Sequence, residues 1–169
     1  TTSTLNRLMV VEFSLPALLP GALVGLHYGI QLSRPRWGFR SDVGGNRTRW
    51  IIGGMMTLAL GGVGATYAVT LFAVHYWLAL IASIVSYGLI GIGVGASGTS
   101  LLALLATATA ADRRAAAATI TWLMMIFGIA LTAGVAGQFL DPYSPQRLMT
   151  VVSVIALLAI LVTVLAIWN

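Results

Sequence analysis

The sequence contains no cysteine and no lysine, and few charged residues of any kind. Without cysteine the chain cannot form a disulfide, a thiolate metal site or a cysteine nucleophile. Charged residues make up 8% of its 169 residues, whereas about one quarter of a soluble domain is charged. A water-soluble surface cannot be built from this composition, which excludes an independent soluble domain.

Apolar residues dominate instead. They make up 59% of the chain, and the mean hydropathy is +0.96. Because a helix needs roughly 20 apolar residues to cross a bilayer, 169 residues with short connections could hold about six crossings. The composition therefore predicts an all-α integral membrane protein.

The order of apolar stretches and breaks predicts six transmembrane helices. The predicted spans are 1–13, 17–32, 50–72, 78–108, 115–140 and 147–168. The first is short and opens on Thr1 without a methionine, so we expect the chain to begin partway through a helix. The fourth is longer than one crossing requires. Residues 34–49 are the most polar segment and are predicted to be a loop, and further breaks fall at 111–114 and at the two prolines of 141–145.

The basic residues predict the orientation of the chain. Nine arginines and four acidic residues give a net charge of +5 and a pI near 10.5. Seven arginines lie in 34–49 and 111–114, whereas Arg7 and Arg147 lie toward the other side. Since positive loops stay in the cytoplasm, both segments are predicted to be cytoplasmic, and the charge indicates membrane orientation rather than binding to nucleic acid.

Glycines recur at four-residue spacing inside two predicted spans. Gly21, Gly25 and Gly29 form a stripe in the second span, and Gly91 and Gly95 repeat the spacing in the fourth. Small residues at this spacing let the backbone of a neighbouring helix approach closely. The pattern favours helix packing, with a glycine-lined path for a substrate as the alternative.

The segment 38–47 contains the most informative motif. It resembles the signature loop between helices two and three of the major facilitator superfamily, with a small residue, an aspartate, glycines and basic residues at fixed positions. The matching residues are Gly38, Ser41, Asp42, Gly45 and Arg47. Val43 and Asn46 depart from it at positions that are usually basic. In that family the loop is thought to latch the two halves of a transporter; a solvated basic turn is the alternative.

A closer resemblance lies in the residues Thr-Leu-Asn-Arg-Leu-Met-Val-Val-Glu at 4–12 and Arg-Pro-Arg-Trp-Gly-Phe-Arg-Ser-Asp at 34–42, supported by 112–114 and 144–148. Together they resemble the PucC family, the bacteriochlorophyll delivery branch of the superfamily, and most closely its members labelled as a bacteriochlorophyll synthase chain. The resemblance implies that residues 1–169 are the N-terminal six-helix half of a major facilitator fold, with the C-terminal half not present in this chain.

The same resemblance implies a function and a location. It implies a membrane factor for bacteriochlorophyll delivery or light-harvesting complex assembly in a phototrophic bacterium. The implied partners are light-harvesting or reaction-centre polypeptides, or pigment-synthesis enzymes, in the same inner, intracytoplasmic membrane, together with lipid. Bacteriochlorophyll is the implied cofactor, and no metal ion is expected.

Two ionisable residues lie in or near the first span, where charge is costly and often functional. Arg7 and Glu12 are five residues apart, about 140° around a helix, so they should not face each other. Glu12 is a candidate proton-coupling carboxylate. The alternative is that it reaches interfacial water near the turn at Ser14.

His27 is the histidine inside a predicted span, and a neutral imidazole is able to ligate the magnesium of bacteriochlorophyll. It lies roughly 200° around the helix from the glycine stripe and is expected to face a different neighbour. A hydrogen bond to another helix is the alternative fate. His75 lies at a predicted membrane boundary and is a weaker candidate.

No enzyme motif is present: the sequence has no glycine-rich phosphate loop, nucleophile elbow or aspartate-rich metal cluster. We therefore expect no catalysis by the chain. Two other functions stay open. A proton-coupled transporter of a small, largely apolar solute would suit spans whose polar side chains are mainly Ser and Thr, with Gln31, Tyr67 and Tyr87. A structural subunit of a photosynthetic assembly is the other.

Overall fold

The computed structural model describes residues 2–43 and 46–167. Within these ranges the chain forms seven α-helices and one short 3₁₀ turn, with no strand. The helices are α1 (Thr2–Val11), α2 (Leu18–Gln31), α3 (Arg34–Val43), α4 (Arg47–Leu71), α5 (Tyr76–Ala108), α6 (Arg114–Phe139) and α7 (Pro145–Ile167). The 3₁₀ turn, Ala111–Arg113, precedes α6. The predicted all-α class is confirmed.

Four helical segments are long and apolar enough to cross a membrane. They are Arg47–Leu71, Tyr76–Ala108, Ala111–Phe139 and Pro145–Ile167. The chain is therefore a multi-pass membrane protein. The second of these segments has 33 residues, about 50 Å at 1.5 Å per residue, so its predicted excess length is confirmed. With 10 and 14 residues, α1 and α2 are shorter than a full crossing, and the six-helix half stays a prediction.

The prediction that residues 34–49 form a loop is wrong for most of that segment, because α3 occupies Arg34–Val43. Its arginines led to the loop assignment, yet arginine is a good helix former, and Pro35 lies in the first turn, where its missing N–H is tolerated. One side of α3 packs on the bundle through Trp37, which is half-buried, while Arg34 and Arg36 are exposed. It is thus a short amphipathic helix at one end of the bundle.

The centre of the bundle is the contact between α4 and α5. A Cβ added at Gly61 would lie 2.8 Å from the backbone nitrogen of Ile90, and one added at Gly93 would lie 2.5 Å from that of Leu58. Real Cβ atoms do not approach backbone so closely, so only glycine allows the two helices this separation. Both α1 and α7 pack on this pair, and their buried side chains complete the apolar core: Leu5, Leu8, Met9, Leu148 and Val152.

The glycine stripe of α2 is not used for packing within the described chain. A Cβ at Gly21, Gly25 or Gly29 would meet nothing within 4 Å, so the predicted close approach at these positions is wrong there. α2 contacts α5 through its other side, where a Cβ at Gly91 would lie 2.9 Å from the carbonyl oxygen of His27. The packing glycine of this pair is therefore on α5.

Helix α6 stands apart from this arrangement. None of its residues is buried, and large apolar side chains such as Trp122 and Phe127 are exposed. Such a helix needs apolar surroundings, either lipid or other membrane-spanning helices.

Candidate functional site

The signature segment begins on α3, which lies flat against α5. A Cβ at Gly38 would lie 3.0 Å from Cγ2 of Thr99, so a larger residue there would press on α5. The Trp37 ring lies over Gly95, where a Cβ would be 3.6 Å from its Cδ1 atom. Ser41 and Asp42 fall in the last turn of α3. Gly45 and the side chains of 40–43 lie outside the described part of the chain.

Arg47, the last member of the motif, begins α4 and reaches the end of α5. Its guanidinium donates to the carbonyl oxygen of Ala103 (3.3 Å) and to Oγ1 of Thr107 (2.5 Å). The start of α4 and the end of α5 therefore lie at the same end of the bundle. The two arginine-rich segments, 34–49 and 111–114, adjoin these helix ends and therefore lie on the same side of the bundle.

A chain of polar contacts runs from α2 to the start of α3. Nε2 of Gln31 lies 2.8 Å from Nε2 of His27, and the Arg34 guanidinium donates to Oε1 of Gln31. Because a guanidinium can only donate, Oε1 must face Arg34 and the Gln31 amide nitrogen must face His27. The amide then donates to His27, whose Nε2 is an acceptor without a proton.

These contacts determine the tautomer of the His27 imidazole. A neutral imidazole that accepts at Nε2 carries its proton on Nδ1, and the Nδ1 atom of His27 is buried without a hydrogen-bond partner among the described residues. The residue is 8% exposed, and its backbone carbonyl oxygen lies against Gly91 of α5. A metal would need an unprotonated ring nitrogen, so ligation of a pigment by His27 requires the contact with Gln31 to break. His75, by contrast, is exposed at the N-cap of α5.

Arg7 and Glu12 are not brought together. Arg7 is exposed on α1, Glu12 is exposed one residue beyond that helix, and neither forms an ion pair with another described residue. Near Glu12 is Tyr143, between α6 and α7. Burial, and secondarily the negative charge of Glu12, raise the pKa of the Tyr143 phenol above its usual 10.0. Proton coupling and contact with interfacial water both stay predictions for Glu12.

One buried polar contact escaped the sequence reasoning. The Tyr87 hydroxyl of α5 donates to Oδ1 of Asn6 on α1 at 3.2 Å, and Tyr87 is fully buried. Asn6 lies in the segment that carries the PucC resemblance, but nothing in the sequence pairs it with a residue 81 positions away. The packing of Gly54 and Gly61 against α5 was also not predicted, although their seven-residue spacing puts them on one side of α4.

The profile of a family described as PUCC protein matches residues 4–169. A protein of Rhodobacter capsulatus named bacteriochlorophyll synthase 44.5 kDa chain is 65% identical over 169 residues, 100% of this chain and 40% of that protein. Protein PucC of Rhodobacter capsulatus is 28% identical and that of Cereibacter sphaeroides 27%, each over 98% of this chain and 39% of the relative.

The chain thus spans about 40% of the length of the curated relatives it matches. No solved structure matches its sequence significantly.

Proposed function

The chain belongs to the PUCC protein family, and from this membership we propose that it acts in bacteriochlorophyll delivery or light-harvesting complex assembly in the membrane of a phototrophic bacterium. The observation that carries the proposal is the 65% identity over the whole chain to a protein named for bacteriochlorophyll. Its proposed partners are antenna or reaction-centre polypeptides, or pigment-synthesis enzymes, of the same membrane.

We propose that the fold is the N-terminal six-helix half of a major facilitator protein. On this proposal α1, α2, α4, α5, α6 and α7 are its six helices, and α3 is the amphipathic helix of the signature segment. Relatives of which the chain covers 39–40% have the length for a second half of similar size. The arginine-rich end is proposed to face the cytoplasm, because seven of nine arginines lie there.

The proposed role is non-catalytic, in contrast to the word "synthase" in one relative's name. The four acidic residues and two histidines are spread along the chain, at Glu12, His27, Asp42, His75, Asp112 and Asp141. Metal-dependent mechanisms need several such groups close together in space, and among the described residues no three of them form such a cluster.

His27 is the proposed contact for bacteriochlorophyll. Its side chain is buried, and its Nδ1 proton lacks a hydrogen-bond partner among the described residues. His27 would hold the pigment through its Nε2 atom only if the Gln31 amide released that atom, and the change would then reach Arg34 on α3 through Gln31.

A structural subunit is the second candidate function. It is favoured by α6, whose 26 residues include none that is buried in the chain. One side of α6, at Ala117, Thr121 and Gly128, is half-buried, and the rest of its surface is available to other membrane-spanning helices.

An absorption spectrum of the full-length protein tests the proposal. The protein is purified in mild detergent from a phototrophic host, with His27→Ala and the control His75→Ala beside it, and co-purifying proteins are identified by mass spectrometry. We expect bacteriochlorophyll and antenna or pigment-synthesis proteins with the wild type and the control, and pigment loss in His27→Ala. A colourless wild-type protein without such partners contradicts pigment handling.

A further inference from the structure

A cavity of about 260 Å³ lies where α3, α4 and α5 meet. Two tryptophans form one side of it: the rings of Trp37 and Trp50 are 5.9 Å apart and inclined by 55°. Arg49 stands at the rim, in the first turn of α4, and the remaining lining is small or apolar, namely Gly53, Gly54, Thr57, Ile92 and Ala96. The cavity therefore has a charged mouth, aromatic walls and an apolar floor.

The sequence keeps this space open. A Cβ at Gly53 would meet nothing within 4 Å, whereas one at Gly54 would lie 2.6 Å from the backbone nitrogen of Ser97. Gly54 thus holds α4 against α5 and forms the floor, while Gly53 leaves the space above it unfilled. The hydroxyl of Thr57 donates to the carbonyl oxygen of Gly53 at 2.8 Å, so the wall adds no free donor at that depth.

Hydrogen-bond donors at the mouth lack acceptors. Neither the Arg49 guanidinium nor Nε1 of Trp50 bonds to another described residue, whereas Nε1 of Trp37 donates to Oγ of Ser33. The backbone N–H groups of Arg49 and Trp50 already donate to the carbonyl oxygen of Asn46 at 3.1 and 3.4 Å, so the two donors left at the mouth are these side chains. These donors, with the positive end of the helix dipole, favour an anion.

The surface below the mouth is apolar and exposed along α4. Gly53, Met56 and Leu60 lie on one side of that helix at i, i+3 and i+7, and all three are exposed. Because α4 is long and apolar enough to span a membrane, this side is suited to contact with acyl chains. A ligand with an anionic head and an apolar tail can fill both parts, with the head at Arg49 and the tail along Met56 and Leu60.

We propose that this cavity binds the headgroup of an anionic phospholipid. Residues 34–49 carry five arginines against one aspartate, a formal charge of +4, which selects a phosphate with net negative charge over a zwitterionic headgroup. Tryptophan rings favour the headgroup layer of a bilayer. The bound headgroup would contact α3, α4 and α5 together and hold the amphipathic helix on the bundle.

Tryptophan quenching by brominated lipid tests the site. The full-length protein is purified with Trp77, Trp122, Trp168 and any tryptophan beyond this chain replaced by Phe, so that Trp37 and Trp50 report alone. It is reconstituted in phosphatidylcholine vesicles that contain brominated phosphatidylglycerol or, for comparison, the same fraction of brominated phosphatidylcholine. We expect stronger quenching by phosphatidylglycerol.

Two variants and their matched controls locate the binding. Gly53→Leu should fill the cavity and remove the preference for phosphatidylglycerol, whereas Gly62→Leu, at another open position of α4, should keep it. Arg49→Gln should lower the preference about fivefold, since one arginine near an anionic membrane contributes about 1 kcal/mol. Arg36→Gln, an exposed arginine outside the cavity, should lower it less than about twofold.

Three results overturn the proposal. The first is equal quenching by both brominated lipids. The second is an unchanged preference in Gly53→Leu while circular dichroism shows that the variant is folded. The third is loss of the preference on addition of inorganic phosphate at constant ionic strength, which would identify a site for free phosphate rather than for a lipid headgroup.

Discussion

The hydroxyl of Tyr87 donates to the amide oxygen of Asn6 at 3.2 Å and so joins α5 to α1 inside the apolar core. Tyr87→Phe removes the donor and leaves the Asn6 amide with an unsatisfied oxygen. We expect a loss of about 1 kcal/mol in the free energy of unfolding, measured in detergent with a graded denaturant.

A double-mutant cycle isolates this contact. Asn6→Ala combined with Tyr87→Phe should be less destabilising than the sum of the two single changes, because each removes the same hydrogen bond. Tyr67→Phe, on the exposed side of α4, is the control and should leave stability unchanged. Strict additivity of the two core variants would show that the hydrogen bond contributes nothing.

The close contact of α4 and α5 depends on glycine at position 61. In Gly61→Ala the new methyl group would lie 2.8 Å from the Ile90 nitrogen and 2.9 Å from the Ser86 carbonyl oxygen, both backbone atoms. The helices must then separate, which we expect to lower the free energy of unfolding by about 1–3 kcal/mol. Gly62→Ala meets nothing within 4 Å and should be neutral or stabilising, because alanine favours helix. Equal effects at both positions would contradict this packing.

The contact of Arg47 with the end of α5 is tested by hydrogen exchange. Arg47→Lys keeps the charge but removes the guanidinium nitrogen that donates to both Ala103 and Thr107. Amides in the last turn of α5 should exchange roughly fivefold faster, as expected for a lost contact worth about 1 kcal/mol. Arg49→Lys, on the same helix but without a bond to α5, should leave the exchange unchanged. Unaltered exchange in Arg47→Lys would show that the contact does not hold that turn.

Stability at high pH reports on Tyr143. Burial and the Glu12 carboxylate raise the pKa of this phenol above 10.0, so the folded state favours its neutral form. The resulting stability is present below pH 10 and is lost as the pH rises through the higher folded value. Between about pH 8 and pH 11, the thermal midpoint of Tyr143→Phe should fall less than that of the wild type. Glu12→Gln should give an intermediate result, and identical pH profiles in all three proteins would exclude this role.

The sequence predicted the features that depend on composition and local chemistry. Long apolar runs gave the four long helices to within a few residues, and the prolines at 142 and 145 gave the break between α6 and α7. The shared end of the two arginine-rich segments also followed from counting spans, and Arg47 now joins α4 to α5 at that end.

Features that depend on tertiary contact were not predictable in the same way. The arginines of α3 suggested a loop, but the contact of Trp37 with Gly95 gives that segment a surface on which to form a helix. The stripe at Gly21, Gly25 and Gly29 matches a packing motif that no partner within the described chain uses. The contact between the Gln31 amide and His27 depends on the rotamers of both side chains and on the bond from Arg34 to Gln31. Sequence spacing alone does not reveal such a contact.

Near-infrared absorption of membranes from a phototrophic host lacking the full-length protein tests the central claim most directly. We expect that strain to have weakened antenna absorption, which recovers when the full-length protein is supplied on a plasmid. Antenna absorption equal to that of the parent strain, with and without the plasmid, would contradict a role in pigment delivery or light-harvesting complex assembly.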